Sequence, residues 1–325
     1  MAVASIYDVL TPAWVRSVYL AGVDLTDDLG VSFADETILI GLRQAIAQIE
    51  QRLSITVDTI DVTNERHDLY TDSRWTYWPF YLHHCPIQRV TDFRARYGQV
   101  LNQPIPVSWL TISSKDHGRL NVTPSNEQIQ QMQSMLGTPF IFWNSGYAPG
   151  FFVFSYKAGF EVYTNTVSFN IGETSKAVTF ATDEKFETSE YYSVFSLVNP
   201  NVNDASIVPV SVQRTLDGMT IQLSRAPVAP LTIKWYVTNI PDNLRHVIGM
   251  MAAMHPLSIA GDLVLGAGIS SRSIGIDGLS QSASTTKSGA QGGAFAARIK
   301  AYTEESAKTM EALKGRYKIL SVCAF

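Results

Sequence analysis

The chain holds six histidines and two cysteines, and three of these residues are consecutive: His83, His84 and Cys85 in "FYLHHCPIQRV". Imidazole and thiolate are ligand types that zinc prefers, but a closed site needs side chains that converge on one point. Read as strand residues, these neighbours point to opposite faces in turn and cannot converge without a kink. His67, His117, His246 and His255 offer no H-E-x-x-H or paired spacing to complete a site. Ordinary strand and loop histidines are the expectation. "LGAGIS" at 265–270 contains a G-x-G, yet a phosphate cradle also needs a third glycine, a strand-turn-helix setting and a downstream acid, and no G-K-[ST] occurs. No G-x-S-x-G is present, and "GISSRSIG" lacks the strand-elbow-helix context of a serine nucleophile. Asp277, followed by Gly278, reads as a turn residue that satisfies local amides. Asp183, Glu184, Glu187 and Glu190 share one segment; such a run suits a solvated face, with calcium held in an oxygen-rich loop as the alternative. The expectation is a protein that is not an enzyme and that has no cofactor and no resident metal.

Bulk properties narrow the class. With 325 residues the chain is long enough for two domains. A hydrophobic fraction of 46% against 17% charged residues leaves apolar surface to hide, which favours oligomerisation. The net charge of -4 argues against a protein whose task is gripping nucleic acid, since phosphate neutralisation needs a basic face. Cys85 and Cys323 lie far apart, which points to free thiols in a reducing compartment. The N-terminus lacks a basic segment followed by an apolar one, so no secretory signal is expected. The longest apolar stretch, from Val247 onwards, is broken by His255, Pro256 and Asp262 and falls short of a membrane span. A soluble cytosolic product with no membrane partner is expected.

The elements follow from periodicity. Residues 35–53 place Ile38, Leu42, Ala45, Ile46, Ile49 and Leu53 at helical spacing, with Asp35 as the candidate N-cap. From Ile55 the period drops to two: "ITVDTIDVT", "WPFYLHHCPIQRVTDFRARYG", "VSWLTIS", "GRLNVTP" and "FFVFSYKAG" predict short strands, with "KDHG" at 115–118 as a hairpin loop. Residues 125–137 predict a short helix. Between 163 and 238 regularly spaced alternating runs, with Gly, Pro, Asn and Asp between them, predict an antiparallel β-sandwich of immunoglobulin-like size. Helix resumes after Pro241 and Asp242 with Leu244, Val247, Ile248, Met251 and Ala252 on one stripe. A last helix from about Gly293 to Tyr317 carries Phe295, Ile299, Tyr302, Met310, Leu313 and Tyr317 on one side.

Between these two helices, "SSRSIGIDGLSQSAST" at 270–285 is rich in Gly and Ser and nearly uncharged. Such composition suits a flexible linker. The recurrence of Ile269, Ile274, Ile276 and Leu279 suits an extended arm that orders against another subunit, and composition alone leaves both open.

The order of the pieces resembles a known group. "CPIQRVTDFRARYGQ", "WLTISSKDHGRLNVTP" and "FFVFSYKAGFE" are similar to the β-rich core of head-to-tail connector (adaptor, or neck) proteins of tailed bacteriophages. The matching positions are Pro86, Ile87 and Val90; Gly118, Arg119 and Leu120; Tyr156, Ala158 and Gly159; then Pro241 and Leu244 opening a helix. The segment from Ala260 to Lys318, with its "D-G-L-S-Q-S" run, resembles the C-terminal arm and helix of phage neck proteins. This chain departs from the compact connector pattern by the sandwich-like segment between Gly159 and Pro241.

The resemblance implies an α+β fold: a helical and β-rich connector core in two parts, residues 1–162 and 239–325, with an inserted immunoglobulin-like domain at 163–238. It also implies a homo-oligomeric ring, commonly twelve-fold, in the virion neck. Such a ring binds the portal protein on one side and tail, terminator or other neck proteins on the other. Genomic DNA passes through the lumen without specific binding, and assembly takes place in the bacterial host cytoplasm. Ser270, Ser271, Ser273, Ile274, Ile276, Asp277, Gly278, Leu279, Ser280, Gln281 and Ser282 form the expected assembly arm, and the stripe from Phe295 to Tyr317 anchors it. The competing expectation is a surface module in which the sandwich, through Tyr191, Tyr192 and Trp235, recognises glycan or a fibre protein. A hydrolase using Asp277 or the histidines is the third reading.

Overall fold

The computed structural model describes residues 2–3, 5–26, 30–70, 78–97, 101–122, 147–179, 192–198, 209–215, 218–265, 271–276, 279–284 and 295–317. Over these the fold is mixed α+β, with four α-helices and sixteen strands in five antiparallel sheets. The chain divides into two compact units: Met1–Gln48 with Glu161–Glu311, and Ile49–Phe160 with Ala312–Phe325.

The second unit is built on aromatic strands. β2 (Ile60–Tyr70), β8 (Tyr147–Ala158), β4 (Ile87–Tyr97) and β5 (Leu101–Pro104) form one sheet in the order β2-β8-β4-β5. β3 (Trp78–Tyr81), β7 (Arg119–Val122) and β6 (Leu110–Ser114) form another in the order β3-β7-β6. On β8 the consecutive residues Phe151, Phe152, Val153 and Phe154 are all buried, so both faces of this central strand are covered. Phe93 stacks on Phe154 with centroids 4.8 Å apart, and Phe80 meets Phe152 edge-on at 5.1 Å. Trp109, Leu120 and Val122 complete the same core.

Over "WPFYLHHCPIQRVTDFRARYG", read as strand punctuated by Pro79 and Pro86, the structure has two strands, β3 and β4, separated by a loop at Leu82–Pro86. The reason lies in the hydrogen bonds: the backbone N–H groups of His83 and His84 are taken by side chains, Glu65 and Tyr156, instead of a neighbouring strand. The expected "KDHG" loop does join β6 to β7, closed by Gly118 N–H donating to Lys115 O at 3.2 Å. The helix expected at 125–137 lies outside the described residues.

In the first unit, β1 (Ala2–Val3), β9 (Val162–Phe169), β14 (Leu231–Thr238) and β11 (Tyr192–Val198) form one sheet in the order β1-β9-β14-β11. β10 (Ser175–Thr179), β13 (Gly218–Leu223) and β12 (Pro209–Thr215) form a second in the order β10-β13-β12. Val167, Phe169, Ile221, Leu223, Leu231 and Ile233 are buried while Thr166, Ser168 and Gln222 are exposed, the alternation of sheets with one covered face. The chain passes from the first sheet to the second through a turn in which Asn170 N–H donates to Glu173 Oε2 at 2.8 Å.

Helices supply the rest of this unit. α1 (Pro12–Val18) opens with Thr11 accepting from Trp14 N–H at 3.1 Å and with proline at the first helical position. α2 (Asp35–Leu53) buries Ile38, Leu42, Ala45, Ile46, Ile49 and Leu53, as its spacing predicts. Asp35 sits inside its first turn, not at the cap, with its carboxylate 2.9 Å from the Arg16 guanidinium. α3 (Asp242–Leu265) starts from the Pro241 carbonyl, which accepts from Arg245 N–H at 2.9 Å. α4 (Ala296–Tyr317) follows. No described helix is long and apolar enough to cross a membrane.

Candidate functional site

In the second unit, three of the four segments that carry the connector resemblance meet at one point. Gly159 N–H donates to Pro86 O at 2.9 Å, Ile87 pairs with Ala158 across β4 and β8, and Ile87 N–H donates to Lys115 O at 2.9 Å. Leu82 N–H donates to Gly118 O at 2.9 Å. The glycines have a physical reason to be there. Gly159 has φ +100°, and a Cβ on it would collide with the Asp58 carbonyl. A Cβ on Gly118 would lie 2.8 Å from Leu82 O. Arg119 stacks its guanidinium 5.9 Å from the Tyr81 ring centroid, and Leu120 is fully buried. The fourth segment, Pro241 and Leu244, opens α3 in the first unit.

The tyrosine of the same motif holds a buried polar cluster. Glu65 on β2, with a side chain only 7% exposed, accepts from the Tyr156 hydroxyl at 2.5 Å and from His83 N–H at 3.0 Å. Its Oε1 also lies 2.7 Å from His67 Nε2 and 3.3 Å from His83 Nδ1. The two imidazoles stack with centroids 5.5 Å apart, and His67 packs edge-on against Phe80 and Phe154. Burial pushes the Glu65 pKa up, but the hydrogen bonds from His67, Tyr156 and His83 outweigh it and hold the carboxyl down at about 2. Burial, reinforced by the Glu65 carboxylate, pushes the Tyr156 phenol well above its ordinary value. At neutral pH the pair is thus a carboxylate held by a neutral phenol, an arrangement that fixes the loop.

This cluster escapes motif matching because its members are joined by strand register, not by local spacing. His67 and His83 do converge, on a carboxylate. His84 turns aside, its Nδ1 3.4 Å from Thr56 Oγ1, and the buried Cys85 thiol donates to Ser54 O at 3.4 Å. Burial pushes the Cys85 thiol up to about 11. Among the described residues no group of three His, Cys, Asp or Glu side chains could hold a metal ion.

In the first unit the expected anchoring stripe lies on α4 and just before it. Phe295, Ile299 and Tyr302 are half-buried and Met310 is buried; Leu313 and Tyr317, assigned to the second unit, are buried as well. The Tyr302 hydroxyl donates to Tyr19 O at 2.8 Å, and Arg298 donates to Ala21 O and to the Tyr302 hydroxyl. The Tyr19 hydroxyl is 2.8 Å from His246 Nδ1, whose Nε2 is 3.4 Å from Glu305. In this hydroxyl-imidazole-carboxylate chain burial pushes the Tyr19 phenol up to about 12. These contacts tie the end of α1 to α3 and α4. A groove of about 420 Å³ lies between α2, α3 and α4, lined by Gln44, Gln48, Met254, His255, Ser258 and Thr303 among others.

The expected arm is in large part a hairpin. β15 (Ser271–Ile276) and β16 (Leu279–Ser284) pair antiparallel from Ser271↔Ser284 to Ile276↔Leu279 without a register shift. Ser273, Ile274, Ser280, Gln281 and Ser282 fall within it, whereas Ser270, Asp277 and Gly278 lie outside the described residues. Asp-Gly between paired strand ends is the dipeptide that two-residue hairpin loops favour. Tyr192 lies on β11 and Trp235 on β14, where Trp235 is registered with Phe195. Tyr191, the acidic run at 183–190 and the G-x-G at 266–268 lie outside the described residues.

No protein-family model and no curated protein sequence matches the chain. Among solved structures it is similar to a chain in the neck of an empty GTA particle, determined with C6 symmetry, at 20% identity and a TM-score of 0.26 over 49% of this chain and 71% of that one. It is also similar to a chain in the virion of a native gene transfer agent particle, at 19% identity and a TM-score of 0.28 over 49% of this chain and 72% of that one.

Proposed function

We propose that this chain is a structural protein of a tailed-phage-like particle: a neck, or head-to-tail adaptor, whose copies form a ring between portal and tail and let DNA pass without binding it specifically. On this reading it is not an enzyme, the sheets between Val162 and Thr238 form an immunoglobulin-like module, and the protein resides in the virion neck after assembly in the host cytoplasm. The observation that carries the reading is the meeting of the motif segments. Pro86–Val90, Lys115–Leu120 and Tyr156–Gly159 are scattered along the sequence, yet backbone hydrogen bonds from Gly159 to Pro86 and from Ile87 to Lys115 bring them together, as expected if the motifs specify one core. Cyclic contacts would then be heterologous, each copy offering two different patches.

Light scattering on the purified protein, alone and with portal-bearing capsids, tests this. The expected result is a ring-sized species, or recruitment of many copies to one capsid vertex. A persistent monomer that ignores capsids would overturn it.

A second reading, a module that binds glycan or a fibre protein, draws on one feature of the first unit. Ile171 and Val228 are 65% and 72% exposed on two turns joined by Gly172 N–H donating to Pro227 O at 3.1 Å. Glycan-array or fibre binding by the full chain, abolished by Ile171→Asp with Val228→Asp, would favour that reading.

A further inference from the structure

A strand at the edge of a sheet presents unpaired backbone N–H and C=O groups, and folded proteins blunt such edges with bulges, proline, charge or brevity. The described edges of this protein are almost all blunted. β2 carries register shifts between Val62 and Glu65 and between His67 and Leu69, with Asn64 at φ +58°. β5 has four residues and ends on Pro104; β3 has four and contains Pro79. β6 shifts register between Ile112 and Ser114, and β12 starts at Pro209 with a shift before Ser211. β10 is five residues long and carries Lys176, and β1 has two residues. β15 carries Arg272 and Gly275.

Two edges lack every one of these devices. β11, "YSVFSLV", pairs with β14 over seven consecutive residues without a shift and ends its sheet among the described residues. β16, "LSQSAS", pairs with β15 over six and has no further strand partner among the described residues. Neither contains a charge, a proline or a glycine. An isolated two-stranded hairpin is at best marginally stable in water, and a third strand is the usual remedy. The lengths also match: six residues of strand span about 20 Å.

We infer that β16 of one copy adds to the outer edge of β11, unpaired among the described residues, in the next copy. The pairing rests on the ring reading above and deepens it by naming the two patches. It joins two different edges, so it is heterologous and propagates around a ring, whereas β16 on β16 or β11 on β11 would close a two-fold dimer. The occupant of each edge is a second copy of this chain, and the recognition is backbone hydrogen bonding, which a strand that is Ser, Gln and Ala after Leu279 supplies without bulky obstruction.

Cysteine pairing between copies tests this in the full-length chain. On a Cys323→Ser background, Ser193→Cys or Ser196→Cys in β11 is mixed with Ser280→Cys, Ser282→Cys or Ser284→Cys in β16. The mixtures are oxidised mildly, blocked with an alkylating agent and analysed for disulfide-linked species, with light scattering on the same samples. Opposed strand residues bring Cβ atoms within disulfide reach, so at least one β11–β16 combination should cross-link, and each variant alone should not. A multi-copy species without any β11–β16 disulfide would overturn the pairing while leaving the ring reading standing. Cross-linking of a β16 variant with itself would overturn it in favour of a two-fold contact. A chain that stays monomeric at its highest soluble concentration and on portal-bearing capsids would overturn both.

Discussion

The hydroxyl of Tyr156 donates to the Glu65 carboxylate and at the same time accepts from the backbone N–H of His84, at 2.5 and 3.1 Å. One phenol on the central strand β8 thereby ties edge strand β2 to the loop before β4. Tyr156 is 1% exposed, so removing its hydroxyl leaves the largely buried Glu65 carboxylate and the His84 N–H each short of a partner. Tyr156→Phe is expected to destabilise the protein by about 1–3 kcal/mol, seen as a lower urea midpoint with an unchanged slope.

The same carboxylate sets a pH dependence. Its pKa is about 2 in the folded chain against an ordinary 4.5, so the unfolded chain binds this proton first. The contribution to stability is complete above about pH 4.5 and is lost as pH falls towards 2; for a side chain 7% exposed it is on the order of 3 kcal/mol. Urea midpoints across that window should fall steeply for the native chain and less steeply for Glu65→Gln, which has no carboxyl to protonate.

Gly159 and Gly172 separate two costs of a side chain. Both have positive φ, +100° and +84°, but a Cβ on Gly172 meets nothing within 4 Å while one on Gly159 runs into the Asp58 carbonyl. Gly172→Ala should cost about 1 kcal/mol of backbone strain, and Gly159→Ala clearly more, at or beyond about 3 kcal/mol. Thermal melts of the two variants in parallel read the difference, and equal losses would mean that the close approach at Asp58 relaxes freely.

Much of this architecture is legible in the sequence where a pattern is local. The stripe from Ile38 to Leu53 predicts the buried face of α2, and the stripe to Tyr317 predicts that of α4. α1 carries a local signal as well, Thr11 followed by Pro12, a cap and a first-turn proline, but its seven residues are too few to show a period. The loop at Leu82–Pro86 is not legible, because its composition is that of a strand and its hydrogen bonds go to Glu65 and Tyr156, residues fixed only by the pairing of β2 with β8. The pairing of Ala2–Val3 with β9 is hidden for the same reason: two residues carry no period. The arm divides along this line, since Ile276, Asp277, Gly278 and Leu279 spell a hairpin turn locally while the destination of its edge is a question of assembly.

Tyr317 offers a test in the opposite direction. Its side chain is 2% exposed, near the end of α4, with Phe160 edge-on at 6.3 Å and the Arg316 guanidinium 5.3 Å from its ring centroid. Arg316 is held by Asp116 at 2.8 Å, so the helix end is fixed by an ion pair and by the ring. The hydroxyl itself is buried with no hydrogen-bond partner among the described residues, and burial pushes its pKa above the ordinary range. A desolvated hydroxyl without a partner is a net cost, so Tyr317→Phe should leave stability unchanged or raise it by about 1 kcal/mol. Tyr317→Ala, which deletes the ring, should lower it by about 3–5 kcal/mol. Urea midpoints of the two variants give the comparison. A loss in the Phe variant approaching that of the Ala variant would mean that the hydroxyl, and not the ring, holds the end of α4 in place.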